Sequence, residues 1–254
     1  MHRFFVPPEA LDQDAVSIAG PLAQQMHTVL RLRPGDRVVL LDNSGWEHTA
    51  ELTAVSARAV QGRVVQRSVR ANEPRTKITL YQSVLKGARF EWALQKGTEL
   101  GISEFVPVIA SRCILQNLSD AEAKFPRWQR VILEAAEQCG RAKFPALLPA
   151  LMFSTACERA GARGGGPASG LALIPWEEET AFTLKWMLRP EAGERPFSIS
   201  LFIGPEGGFT GDEVALAADY GIRSVTLGPR ILRAETAGIV AAAAIFYELG
   251  DLGK

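Results

Sequence analysis

Two glycine–proline turns carry the residues best suited to chemistry. The first, Ile203-Gly-Pro-Glu-Gly-Gly-Phe209, closes the apolar run Ser198-Ile-Ser-Leu-Phe-Ile203 and leads into a helix-like stretch. A glycine-rich turn between strand and helix ordinarily cradles phosphate, because glycine lets backbone N–H groups approach an anion. Here Glu206 stands in the middle of the turn. The spacing is neither GxGxxG nor the P-loop pattern with its Lys-Ser/Thr ending. A carboxylate beside phosphate is repulsive unless a metal intervenes, and no acidic cluster suggests one. Thr210 and Glu213, three residues apart, form a capping box that uses amides an anion would need. The turn therefore suits a neutral or cationic ligand with hydrogen-bonding edges. Taken alone, it is equally a tight turn whose glycines adopt positive φ.

The second turn, Leu227-Gly-Pro-Arg-Ile-Leu-Arg-Ala-Glu-Thr-Ala237, also follows a short strand-like run and precedes a long helix. Two such junctions belong at the carboxyl ends of neighbouring strands, where open α/β sheets bind ligands. Leu171-Ala-Leu-Ile-Pro-Trp-Glu177 supplies a third wall. The three histidines, His2, His27 and His48, all lie in the N-terminal part, so a histidine-based nucleophile system is absent from this region.

The elements that must position these turns change character along the chain. Arg3–Val6, Arg37–Leu41, Thr49–Val55 and Arg63–Val69 are short β-prone runs punctuated by Arg33-Pro-Gly-Asp36 and Asn43-Ser-Gly45. With one helix over Pro21–Arg31, they suggest a small barrel. Ala71-Asn-Glu-Pro-Arg75 reads as a linker, separating domains at 1–72 and 76–254. Beyond it, strands alternate with helices, the pattern of a mainly parallel α/β sheet. Strands are expected at Ile78–Leu85, Phe105–Ala110, Ala146–Leu151, Leu171–Pro175, Ile199–Ile203 and Ser224–Leu227. Helices are expected at Ala88–Leu100, Arg127–Arg141, Asp212–Tyr220 and Thr236–Leu249. The glycine-rich stretch at 161–170 reads as a flexible surface loop.

Lys+Arg and Asp+Glu are balanced at 28 each, but residues 75–145 hold 11 basic and 7 acidic side chains, and residues 146–254 hold 9 and 13. A basic surface on the middle third is thus available to an anionic partner. Cys113, Cys139 and Cys157 are too scattered for a zinc site or a disulfide framework, and read as buried free thiols. The N-terminus lacks the pattern of a signal peptide, and no apolar run reaches the ~20 residues of a membrane span. The expected location is the cytoplasm.

Both turns, in this order and at this spacing, closely resemble the ribosomal RNA small subunit methyltransferase E family of knotted SPOUT methyltransferases. The likeness extends to Met1-His-Arg-Phe-Phe5, Val29-Leu-Arg31, Glu91-Trp-Ala-Leu-Gln-Lys-Gly-Thr-Glu-Leu-Gly101, Arg127-Trp128, and Glu134-Ala-Ala-Glu-Gln138 with Arg141. The resemblance implies a PUA-like RNA-binding β-barrel followed by an α/β SPOUT domain with a C-terminal trefoil knot. It also implies a homodimer that uses S-adenosylmethionine, without a metal, to methylate N3 of a specific uridine in 16S rRNA of the small ribosomal subunit. Other readings of the same fold are a methyltransferase acting elsewhere on RNA and a non-catalytic RNA-binding module.

On that resemblance the cofactor is expected against Ile174, against the first turn (Ile203, Gly204, Pro205, Glu206, Gly207, Gly208), and against the second (Leu227, Gly228, Ile231, Leu232, Glu235, Thr236, Ala237). Arg233, Arg141 and Glu206 are the candidates for the reacting centre, with Glu206 and Glu235 able either to take a proton or to brace the site. The closing helix, with its small residues Ala241-Ala-Ala-Ala244, is expected at the dimer interface. Lys86, Arg89 and Lys96 fall on one side of a helix at 3.6-residue spacing. They form either a solvated basic face or, with His2, Arg3, Arg112 and Arg141, contacts to RNA. A Glu137→Arg141 pair at i,i+4 is the alternative use of Arg141.

Overall fold

A computed structural model describes residues 1–69, 72–163, 170–189 and 195–253 of the chain. Contacts divide it into two units, one of residues 1–73 with 136–144 and one of residues 74–135 with 145–254. The segment 136–144 extends the first unit beyond the expected 1–72.

In the first unit the β-prone runs become β1 (Arg3–Phe5), β2 (Leu11–Asp12), β3 (Ala15–Ala19), β4 (Arg37–Leu41), β5 (Trp46–Val55) and β6 (Ala59–Val69). They form one mixed sheet in the order β1-β4-β5-β6-β3-β2, parallel only between β1 and β4. Register shifts at Thr49/Ala50 and Leu52/Ala54 bend the long β5–β6 ribbon, as bulges do. Phe4, Val38, Leu40, Ala50, Leu52 and Val60 line the apolar core, joined by Ala23 and Met26. Those last two belong to helix α1 (Pro21–Gln24) and the single π turn Gln25–Val29 that continues it. The helix expected to reach Arg31 ends sooner, because Arg31 takes a left-handed φ of 55°.

The second unit is built on a parallel sheet. Its strands are β7 (Lys77–Ser83), β8 (Glu104–Ile109), β9 (Ala146–Leu147), β10 (Leu151–Met152), β11 (Leu171–Pro175), β12 (Ser198–Ile203) and β13 (Arg223–Val225). The order is β10-β8-β7-β12-β11-β13, with β9 also on β8. The single strand expected at Ala146–Leu151 is therefore two short ones. Helices α2 (Arg89–Leu100), α3 (Leu118–Glu122), α4 (Phe125–Cys139), α5 (Phe153–Arg163), α6 (Leu184–Met187), α7 (Gly211–Asp219) and α8 (Ala234–Glu248) intervene.

Gly101, at φ 110°, ends α2 with its N–H hydrogen-bonded back to Gly97 O, the left-handed cap that glycine alone takes without strain. Trp128, Ile132 and Ala135 of α4 are buried. One apolar cluster contains Ile78, Leu80, Phe90, Leu94, Phe105, Trp128 and Phe246, and a second contains Tyr81, Phe153, Phe202 and Phe209. The loop expected at 161–170 lies largely outside the described residues, and α5 runs into its start.

Candidate active site

Strand β11 precedes β12 and β13 in the chain but lies between them in the sheet. All three run parallel, as does β7 on the far side of β12. Their carboxyl ends therefore open side by side. The loops after β7, β12, β11 and β13 come together there, at a reversal of strand order of the kind where α/β sheets hold ligands.

Two adjoining cavities occupy this end. The first, about 500 Å³, is lined by Arg89, Pro175, Glu177, residues 203–209, residues 231–235 and Ala237. The second, about 490 Å³, is lined by residues 175–177, Glu179, Thr180, residues 226–232 and Ala237. Both volumes fall in the ~300–1,000 Å³ range of small-molecule sites. The two glycine–proline turns and the end of β11 thus form one site. Ile174 is fully buried in the core and lines neither cavity, as strand alternation requires once Pro175 faces the opening. Thr236 lines neither.

The first turn is held from several sides. Gly208 N–H bonds Pro205 O at 2.9 Å. The Glu206 carboxylate accepts from the Lys86 amide at 2.9 Å and from Arg89 Nη1 at 3.3 Å. Arg89 Nε lies 3.9 Å from Glu235, so one guanidinium joins the two glycine–proline loops. Arg112 Nη1 donates to Gly207 O at 2.5 Å. The next residue back, Ser111, donates both its amide (2.8 Å) and its hydroxyl (2.9 Å) to Glu213. Glu213 is buried and also completes the capping box, accepting from Thr210 N at 2.9 Å while its own amide bonds Thr210 Oγ1 at 3.2 Å.

Around the second cavity, Glu179 accepts from the amides of Ala181 (2.7 Å) and Phe182 (3.1 Å) and from the Ser224 hydroxyl (2.5 Å). The Ser224 bond above all, then the amides, hold this carboxyl below its ordinary value. The buried thiols face the other way: burial, then the Glu213 charge, push Cys157 up to about 12, and burial raises Cys113. Neither is a thiolate nucleophile at neutral pH.

Two helical readings are corrected. Lys86 precedes α2, which starts at Arg89 after Gly87 at φ 63°, so Lys86 shares no helical face with Arg89 and Lys96. Arg89 is engaged with Glu206 and Glu235, and Lys96 with Glu99 at 2.8 Å. Arg3 pairs with Glu47 and is half-buried. His2 is exposed, its ring 6.2 Å from that of Phe4. Arg141 is 6% exposed and bonds Glu73 at 2.6 Å. Arg141 lies beyond α4, which ends at Cys139 before Gly140 at φ 77°, so it and Glu137 do not share a helical i,i+4 face; Glu137 accepts from the Phe5 amide at 3.0 Å. Glu206, a candidate base, has its carboxylate occupied by Lys86 and Arg89. Arg233 is exposed on the wall of the first cavity, just ahead of α8.

Glu177, expected only at the end of the third wall, lines both cavities. Its carboxylate stands against Gly208, where a β-carbon would meet it. Among the described residues no group of metal-binding side chains exists, and no helix is long and apolar enough to cross a membrane.

Residues 72–246 match the family model for an RNA methyltransferase domain, and residues 27–65 that for an RNA methyltransferase PUA domain. The chain carries an RNA methyltransferase domain. The chain is 34% identical to ribosomal RNA small subunit methyltransferase E of Synechocystis over 96% of its length and 77% of the relative's. It is 30% identical to the Bacillus subtilis protein of that description, over 98% and 97%. The crystal structure of ribosomal RNA small subunit methyltransferase E from Neisseria gonorrhoeae bound to S-adenosylmethionine superposes with a TM-score of 0.85, at 34% identity, covering 97% of each chain. The chain belongs to the ribosomal RNA small subunit methyltransferase E family.

Proposed function

We propose that this chain transfers a methyl group from S-adenosylmethionine to N3 of a specific uridine in 16S rRNA of the small ribosomal subunit. The observation that carries the reading is the junction of both glycine–proline loops with the end of β11 around one pair of cavities. The cavity chemistry fits the cofactor. Pro175, Ile203, Leu232 and Ala237 give apolar walls, the loop backbones give hydrogen-bonding edges for an adenine, and glutamates face a ligand that carries positive charge and no phosphate. Bound S-adenosylmethionine supplies an electrophilic methyl group on a positive sulfur.

The residues of the chain bind, orient and stabilise. Uridine N3 must give up its imino proton to solvent water and come into line with the methyl group. Such alignment is worth on the order of 7 kcal/mol when reactants are well oriented. Negative charge then spreads onto the uracil oxygens, and a fixed cation beside them lowers the barrier. Arg233 takes that role. It faces the first cavity, and among the described residues no carboxylate pairs with it, whereas Arg89 is taken up by Glu206 and Glu235. Glu206 and Arg112 brace the first turn rather than react.

The same reading has the chain acting in the cytoplasm as a homodimer, with the first unit docking RNA and the C-terminal stretch threaded as a trefoil knot. The placement of β11 between β12 and β13 is consistent with such threading. The test is a labelled-methyl assay on 30S subunits and on naked 16S rRNA, followed by mass spectrometry of the nucleosides. Label recovered as N3-methyluridine is the expected outcome; label on another atom or on ribose would redirect the assignment.

A further inference from the structure

The two cavities share five lining residues, Pro175, Glu177, Ile231, Leu232 and Ala237, and only one of these is charged. We propose that Glu177 is the specificity residue that distinguishes the charged methyl donor from its neutral-sulfur product. This deepens the reading above and rests on it.

Among the described residues, the first cavity presents three carboxylates, Glu177, Glu206 and Glu235, and two guanidiniums, Arg89 and Arg233. Arg89 stands between Glu206 and Glu235, at 3.3 and 3.9 Å. In the second cavity the Glu179 carboxylate is occupied by Ser224 and two amides. Glu177 is left without an ion-pair or hydrogen-bond partner among the described residues, on a wall common to both spaces. It is exposed, so its charge costs little to keep in the free protein.

The position is set by the backbone. Glu177 follows the last residues of β11, and its carboxylate packs against Gly208, where a β-carbon would displace it. Gly208 also has a φ of 69°, so the turn itself demands glycine there. The glycine therefore serves two purposes, the turn and the seat of the carboxylate.

The ligand has two parts, an adenosine and an amino-acid chain, joined at sulfur. Two adjoining cavities with a shared wall suit two such parts, and Glu177 is the charged residue common to both. A carboxylate there attracts a sulfonium and is indifferent to a thioether. Methyl transfer breaks the carbon–sulfur bond, its electron pair stays on sulfur, and the sulfonium becomes neutral. Glu177 thus favours the donor before transfer and releases the product after it.

The experiment is titration calorimetry of the full-length protein with S-adenosylmethionine, S-adenosylhomocysteine and sinefungin, whose amine places a positive charge near the sulfonium position. Glu177→Gln keeps the shape and removes the charge. It should weaken S-adenosylmethionine and sinefungin on the order of tenfold, the scale of one partly screened charge contact, and S-adenosylhomocysteine by less than about twofold. Glu177→Asp should keep most of the preference. Equal weakening of all three ligands by Glu177→Gln, or no change in any, overturns the proposal. Failure of the wild-type protein to bind any of the three overturns the cofactor reading instead, so the two failures are distinguishable.

Discussion

The Glu206 carboxylate lies 3.3 Å from the Arg89 guanidinium, although 117 residues separate them in sequence. The pair is partly exposed, with side chains 29% and 48% accessible, so it contributes no more than ~1 kcal/mol to global stability. Its effect is local. Arg89 ties the first loop to the second, and Glu206 ties the first loop to the Lys86 amide. Arg89→Ala should therefore leave the unfolding midpoint nearly unchanged while weakening S-adenosylmethionine binding by about 3- to 10-fold. Glu206→Gln should be milder than Glu206→Ala, because an amide oxygen still accepts from Lys86. Calorimetry and thermal unfolding on the same samples check both halves, and unaltered affinity in Arg89→Ala would show that the two loops need no tie.

Glu213 is expected to matter more for stability. It is 7% exposed and accepts bonds from the amides of Ser111 and Thr210 and from both their hydroxyls. Removing the carboxylate leaves buried donors unpaired, which costs about 1–3 kcal/mol per site and more where the bonds are charge-assisted. Glu213→Ala should lower the unfolding free energy by about 2–4 kcal/mol in urea titration, and Glu213→Gln by less. Because Ser111 precedes Arg112, the variant should also increase amide exchange at Gly207 and Gly208.

A pH dependence belongs to Glu179. The Ser224 hydroxyl and the amides of Ala181 and Phe182 bond its ionised form, lowering its folded value below the ordinary 4.5. A depressed carboxyl contributes order that is fully present above the ordinary value and is lost as pH falls through the folded one. Protection of the Ala181 and Phe182 amides against exchange should hold at pH 6 and decline as pH is taken below 4.5. In Glu179→Gln that protection should be lower at pH 6 and flat with pH. A decline of equal depth in the variant would assign the effect to global acid unfolding.

What was legible in the sequence was local. The capping box at Thr210 and Glu213, the glycine stop at Gly101 and the strands before each glycine–proline loop all depend on residues a few positions apart. Long-range pairing was hidden for the same reason. Nothing near Arg89 in sequence points to Glu206 and Glu235, and nothing near Arg3 points to Glu47. Helical faces drawn from spacing failed where a positive-φ glycine intervened, at Gly87 before Arg89 and at Gly140 before Arg141. Glu177 went unassigned because a strand-end carboxylate carries no periodic signal. Its place depends on which strands become neighbours, and β11 leaves its chain-order position to lie between β12 and β13.

Arg233 offers the sharpest test of the chemistry. Its backbone caps α8, with the amides of Thr236 and Ala237 bonding its carbonyl at 2.8 Å each, so truncating the side chain leaves the helix start intact. The guanidinium lies on the cavity wall and, among the described residues, has no carboxylate to hold it. Arg233→Ala should therefore fold normally and bind S-adenosylmethionine within a few-fold of wild type. If the cation stabilises charge on the uracil oxygens in the transition state, kcat should fall by about 10²–10³, the loss typical of removing one such donor. Arg233→Lys should restore part of that loss, since a point charge replaces the fork without its two-point geometry. Single-turnover methylation of 30S subunits at saturating RNA separates this outcome from weakened RNA binding. A normal single-turnover rate with a raised RNA requirement would move Arg233 from the reacting centre to the docking surface.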